Sequence, residues 1–185
     1  MKRLAGATST TSTKRRPRLR HPQDPKAVKQ RLSPQDVEIL RELQARADPA
    51  EVSVAQHAKL TPRSYRWRVN RLKRAGVIKR FVALLDRRQL SLDVVAFVEI
   101  QLDRRNAEID AAFRKAIIQE PNVMSCYSMI GRFDYLLKVV SPDLPAFTKF
   151  AMKRLLRMPG VKNVRSAMIL ESVGERTALP LDHLA

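Results

Sequence analysis

Three times between positions 33 and 62 the chain sets an oxygen-bearing side chain directly before proline: Ser33-Pro34, Asp48-Pro49 and Thr61-Pro62. Such a residue at the N-cap accepts a bond from an orphan amide, and proline at the first helical position has no amide to lose. Asp36 and Glu51 stand at the third helical position, where acids favour the helix dipole and where Glu51 completes a box-like pattern. Three short helices are therefore predicted. The first, to about Ala47, presents Val37, Leu40 and Leu43 with Ile39 beside them; the second, to about Ala58, presents Val52, Val54 and Ala55. The third presents Tyr65, Val69 and Leu72 and stops at Gly76, a good left-handed C-cap. Helices this short cannot hold an apolar stripe in water alone, so the three must pack into a small trihelical unit.

Beyond Gly76 the periodicity changes. Val77 to Leu85 reads as an extended linker or strand. Val94 to Leu102 alternates, with Ala96, Val98, Ile100 and Leu102 on one face and Glu99 and Gln101 on the other. Glu108 to Gln119 carries a helical stripe of Ile109, Ala112, Phe113, Ala116 and Ile117. Val123 to Ile130 and Tyr135 to Val140 are β-like, joined through Gly131-Arg132-Phe133-Asp134. Leu144 to Met158 is a second amphipathic helix through Leu144, Phe147, Ala151 and Leu155, stopped by Pro159-Gly160, and a last strand runs from Val161 to about Glu171. The order β-α-β-β-α-β is the split pattern of a ferredoxin-like sandwich, so the fold class is α+β. The chain divides into a basic arm (1–31), a helix-turn-helix unit (32–80), a connection (81–93) and a ferredoxin-like domain (94–185).

Charge follows these boundaries. The net charge of +18 points to a polyanion as partner. Residues 1–31 carry ten basic side chains against the lone acid Asp24, and Arg63 to Arg80 carry eight against none, whereas from Phe81 onward fifteen face twelve. The arm, with Lys14, Arg15, Arg16, Arg18 and Arg20 broken by Pro17, Pro22 and Pro25, is too polar to fold alone. It reads as a disordered segment that either touches phosphates nonspecifically or is a solvated tail. Its Ser, Thr and Arg content is like that of a transit peptide, but Leu4 and Leu19 are too far apart for an amphipathic presequence. With Cys126 as the only cysteine and no apolar run of membrane length, the expected setting is the reducing cytoplasm, with no membrane contact.

On a helical wheel of about 100° per residue, Arg63, Trp67, Asn70 and Arg74 fall opposite Tyr65, Val69 and Leu72, flanked by Arg66, Lys73 and Arg71. Arginine pairs bidentately with guanine and asparagine with adenine in the major groove of double-stranded DNA. The second helix of a helix-turn-helix enters that groove N-terminal end first. Base contacts are therefore assigned to Arg63, Arg66, Trp67 and Asn70, and phosphate contacts to Arg71, Lys73 and Arg74, with Thr61 and Ser64 helping at the backbone. Arg68 lies nearer the buried side, where its stem packs and its head snorkels or pairs with an acid of the first helix.

Leu32-Ser33 through Asp36, Ile39-Leu40, Leu43-Gln44, Leu60-Thr61-Pro62, Arg68-Val69, Arg71-Leu72 and Gly76-Val77-Ile78 follow one another at a spacing that resembles the Lrp/AsnC (feast/famine) family of transcription regulators. The resemblance continues through Cys126, Gly131, Asp134-Tyr135-Leu136-Leu137, Pro142-Asp143-Leu144, Pro159-Gly160-Val161, Arg165-Ser166 and Leu179-Pro180-Leu181. It implies a winged-type helix-turn-helix joined to a βαββαβ domain that forms homodimers and higher oligomers and binds a small effector, commonly an amino acid, between dimers. The family's effector pocket maps onto Met129, Ile130, Gly131, Arg132 and Asp134, with Gly131 allowing close backbone approach and Asp134 placed to take an α-ammonium. Gly131 and Asp134 fit turn-forming roles equally well, and Met168 fits either an apolar wall of the pocket or the core. Three positions depart from the pattern: Ala47-Asp48-Pro49-Ala50 replaces the usual Asp-Gly-Arg turn, Leu92 stands for a glycine, and Ile130 removes a hydroxyl that commonly precedes Gly131.

Two other functions are compatible with parts of the chain. A nucleoid-like architectural binder would also use the arm and an oligomeric core, and ferredoxin-like dimers also host catalysis. Against an enzyme, His21, His57 and His183 lie outside the interior of the second domain, and no metal spacing, nucleophile motif or phosphate loop occurs. Cys126, between Ser125 and Tyr127 on a strand, reads as a small packed residue. The expectation is a DNA-binding regulator without catalytic residues, metal or cofactor.

Overall fold

The computed structural model describes residues 31–45, 59–103 and 106–184. The basic arm and the expected second helix with its Asp48-Pro49 start lie outside the described residues. Two compact units emerge, one built around 94–168, the other from the segment before it together with 169–184.

In the helical unit α1 spans Pro34–Ala45 and α2 spans Pro62–Arg74. Ser33 and Asp36 close a reciprocal cap: the Asp36 amide donates to Ser33 Oγ at 3.3 Å and the Ser33 amide to Asp36 Oδ2 at 2.9 Å. Thr61 caps α2, its hydroxyl oxygen accepting from the Ser64 amide. The helix ends in a Schellman arrangement, with Gly76 at φ +73°, its amide bonded to Lys73 O and that of Val77 to Leu72 O. Ile39 and Leu40 of α1 pack on Tyr65, Val69 and Leu72 of α2, and Leu32, Leu43, Leu60, Ile78 and Leu181 close the margins. The expected extended stretch 77–85 forms no strand and leaves Phe81, Val82, Leu84 and Leu85 exposed. Among the described residues of this unit there is no sheet for its apolar side chains to join.

The sheet unit runs β1 (Val94–Leu102), α3 (Ala107–Ile117), β2 (Val123–Ser128), β3 (Tyr135–Ser141), α4 (Leu144–Lys153) and β4 (Val161–Met168). The antiparallel order is β2-β3-β1-β4, the ferredoxin-like arrangement. Ala96, Val98, Ile100 and Leu102 of β1 and Leu137 and Val139 of β3 meet Phe113 and Ile117 of α3 and Phe147 and Phe150 of α4. The other face of the sheet, with Phe97, Glu99, Gln101, Tyr127 and Lys138, is turned away from these helices. Asn106 and Asp143 cap α3 and α4.

Two details differ from the sequence expectation. The last helix ends at Lys153 and tightens into a 3-10 turn over Leu155–Arg157, and Leu144, placed on its buried stripe, is exposed while Phe150 is buried. The final strand stops at Met168, and the segment after it, expected to complete the ferredoxin-like domain, groups with the helical unit. There Gln44 donates to Leu179 O at 3.2 Å and accepts from the Leu179 amide at 2.7 Å, while Arg41 pairs with Asp182 at 3.3 Å.

Candidate nucleic-acid interface

Helix α2 exists because Thr61 and Pro62 start it and Gly76 ends it, and its orientation is fixed by Tyr65, Val69 and Leu72, all buried. The opposite face is then determined: Arg63, Arg66, Trp67, Asn70, Lys73 and Arg74 are exposed and Ser64 is half-buried. Lys73 Nζ lies 4.9 Å above the Phe81 ring. Thr61 spends its oxygen lone pair on the Ser64 amide and retains its O–H as a donor.

The inner flank is organised by Asp36, which has no solvent exposure. Its Oδ1 accepts from Arg68 Nη1 at 3.0 Å and its Oδ2 from Arg71 Nη2 at 2.5 Å. Arg68 also reaches Ser33 Oγ at 3.0 Å and Gln35 Oε1 at 2.5 Å. Burial alone would push the Asp36 carboxyl up, but the bonds from Ser33 and the two arginines outweigh it, and the group sits below its ordinary value of 3.8. Arg68 thus pairs with an acid of the first helix, as its wheel position implies. Arg71, expected at a phosphate, bonds Asp36 through Nη2, and its guanidinium carbon lies 5.1 Å from the Trp67 ring centroid.

On the sheet unit, the hairpin between β2 and β3 brings Met129, Ile130, Gly131, Arg132 and Asp134 together. Asp134 Oδ2 accepts from the Leu102 amide at 2.8 Å, the Asp134 amide donates to Ile100 O at 2.9 Å, and its carbonyl accepts from Met129 N at 2.8 Å. The carboxylate therefore pins the hairpin base to the end of β1. Gly131 has φ +144° with open space around it, Ile130 is fully exposed, and Arg132 lies 3.9 Å from Glu99. Arg132 and Phe133 join Glu99, Gln101, Asn163 and Arg165 around a polar cavity on the sheet. Met168 is not part of this group. It pairs with Ala96, whereas the hairpin leaves β3 at Tyr135 beside Ile100, four residues or about 13 Å along β1. Burial pushes the Cys126 thiol up to about 11 and so keeps it protonated, against the smaller opposing pull of the Arg114 charge. Among the described residues no group of His, Cys, Asp or Glu is arranged to hold a metal ion.

Residues 32–79 match the model of winged helix-turn-helix DNA-binding domains and 95–179 that of the Lrp/AsnC ligand binding domain. The leucine-responsive regulatory protein of Escherichia coli is 35% identical over 144 residues, 78% of this chain and 88% of that protein. The chain belongs to the Lrp/AsnC family. This Lrp/AsnC protein is also 29% identical over 153 residues to the transcriptional regulator AzlB of Bacillus subtilis, covering 83% of the chain and 98% of AzlB. Among solved structures, a transcriptional regulator of Neisseria meningitidis in complex with L-methionine superposes with a TM-score of 0.79 at 30% identity, covering 83% of this chain and 99% of that one. An AsnC family regulator from Agrobacterium tumefaciens gives 0.78 at 33% identity, covering 83% and 100%. The protein is a transcriptional regulator that joins a DNA-binding unit to a ligand-binding one, and its relatives are regulators rather than enzymes.

Sequence reasoning placed the outward face of α2 and the hairpin of this Lrp/AsnC regulator, but missed Asp36 as the anchor of both inner arginines. The signal was present: Ser33 three residues before Asp36 is a capping pair, and Arg68 and Arg71 share the flank of α2 that faces α1.

Proposed function

We propose that this regulator reads the major groove with α2, using Arg63, Arg66, Trp67 and Asn70 at base edges and Lys73 and Arg74 at phosphates, with Thr61 and Ser64 touching the backbone at the helix start. The observation that carries the reading is a segment free of acids from Arg63 to Arg80 whose helical part shows an exposed basic face opposite a buried seam. The protein acts in the cytoplasm as a homodimer or larger assembly. A second copy would cover the exposed run Phe81, Val82, Leu84 and Leu85 and the open sheet face with Phe97 and Tyr127. Its effector is a small molecule of the amino-acid class, taken at the 129–134 hairpin, which in one chain is an open surface that neighbouring copies would complete. The methionine complex of the Neisseria relative supports that class.

Footprinting on a promoter fragment tests the first part. Two protected half-sites spaced by about one helical turn, or a multiple of it, are expected from a dimer; uniform protection of every sequence would favour an architectural role. Arg66→Ala with Asn70→Ala should abolish the half-sites, and unchanged affinity would remove α2 from the reading role. A panel of amino acids in a thermal-shift assay tests the second part, and a panel that moves no midpoint would sink the hairpin assignment.

A further inference from the structure

We propose that Asp36 and Arg71 are positioning residues that hold the Trp67 indole in a fixed attitude on the reading face, making Trp67 a determinant of sequence specificity and withdrawing Arg71 from the phosphates. The proposal rests on the reading of α2 as the recognition helix. Trp67 and Arg71 are one helical turn apart, so their side chains lie one above the other. The Arg71 guanidinium meets the indole with its charge 5.1 Å from the ring centroid and meets Asp36 Oδ2 at 2.5 Å. Asp36 is itself held by the Ser33 amide at 2.9 Å, the Ser33 hydroxyl at 2.7 Å and Arg68 at 3.0 Å. A planar, delocalised cation can bond a carboxylate through its edge and stack through its face at once; a lysine ammonium cannot do both.

The chain of contacts therefore runs from the cap of α1 through a carboxylate without solvent exposure to an indole that is 59% exposed. For Arg71 to turn its full guanidinium edge to a phosphate it would have to leave a desolvated partner for one still bathed in counterions. A large apolar plane whose attitude is set before DNA arrives is suited to an apolar base edge such as the thymine methyl, which discriminates among sequences.

Trp67 is the only tryptophan, so the emission of the full-length protein reports on it alone. The test uses an operator selected from random duplexes and a scrambled duplex of equal length. The operator should change Trp67 emission more than the scrambled duplex does. Arg71→Lys, which keeps the charge beside Asp36, should raise acrylamide quenching of Trp67 in the free protein and lower the ratio of operator to scrambled affinity by about tenfold. Trp67→Ala should lower that ratio equally, and the double variant should fall no further, because Arg71 acts through Trp67. Arg71→Gln should leave the salt dependence on scrambled DNA unchanged, whereas a lost phosphate contact would reduce the slope by about 0.9. A reduced slope, or an Arg71→Lys protein with unaltered quenching and ratio, overturns the proposal. Should Arg71→Lys prove unstable, Trp67→Ala at its exposed position decides: an unchanged ratio overturns the proposal. If α2 is not the reading helix at all, neither duplex will change Trp67 emission and Asn70→Ala will bind as the parent does, an outcome distinct from a silent Arg71.

Discussion

Among the described residues, the helical unit sets a carboxylate without solvent exposure, Asp36, beside a cluster of five buried apolar side chains, whereas the sheet unit surrounds fourteen buried residues with two helices and a sheet and buries one acid, Glu120, at 8% exposure. There Asp110 receives Arg114 and the Tyr135 hydroxyl, and Glu120 receives Arg154. The sheet unit is held mainly by area removed from water, and its polar pairs trim the edges. The described part of the helical unit buries fewer apolar side chains, so the Asp36 ion cluster carries a larger share of its stability and fixes the flank of α2 beside α1.

The sharpest way to break that contrast is Asp36→Ala. It strips Arg68 and Arg71 of their shared carboxylate and removes the Asp36 half of the reciprocal α1 cap, a loss of about 3–5 kcal/mol by analogy with broken buried pairs. Hydrogen exchange should show lost protection in α1 and α2 with protection in β1 and β3 retained; equal loss in both units would refute the division. Acid should act in the same place. Because the folded Asp36 carboxyl lies below its ordinary value of 3.8, its contribution is complete above about pH 4 and is lost as pH falls through the folded value. The phenol of Tyr135, pushed up by burial and by its bond to Asp110, stays protonated throughout that range, so it adds no acid-labile step to the sheet unit.

Gly160→Ala probes the other side of the comparison, where packing rules. Gly160 has φ +71°, and an added Cβ would stand 2.1 Å from Ile109 Cγ2 of α3. The chain cannot draw back freely, because Gly160 O accepts from the Asp103 amide at 2.8 Å. The expected cost, about 2–4 kcal/mol from backbone strain and overpacking, should appear in the exchange of β1 and α3 and leave α1 and α2 as they were.

The same contrast explains what could be read in the sequence. The sheet unit was legible almost throughout because β1 alternates strictly and α3 repeats every three to four residues, local patterns that need no distant partner. The exposed face of α2 was legible for the same reason. Asp36 was not, since its acidity at the third helical position already had a sufficient local explanation, and its burial depends on arginines more than thirty residues away. The hairpin was read from its turn residues and its effector role from resemblance, and nothing local to the sequence reveals that the Asp134 carboxylate is occupied by the Leu102 amide. The segment after Met168 was assigned by adjacency to the strand before it, while its partners lie at Arg41 and Gln44.

That segment supplies the mildest test. The small helical core borrows Leu181 from the far end of the chain, and the borrowing is secured by Gln44, whose side-chain amide mimics a strand by both donating to and accepting from the backbone of Leu179. The neighbouring Arg41–Asp182 pair is exposed and adds little. Removing the amide in Gln44→Ala should cost about 1 kcal/mol, the net worth of such bonds at a wet site. The Leu179 amide should then exchange about fivefold faster, with the sheet unit unaffected. Unchanged exchange at Leu179 would mean that Leu181 alone secures the segment, and the helical unit would then owe its closure to apolar contact, as the sheet unit does.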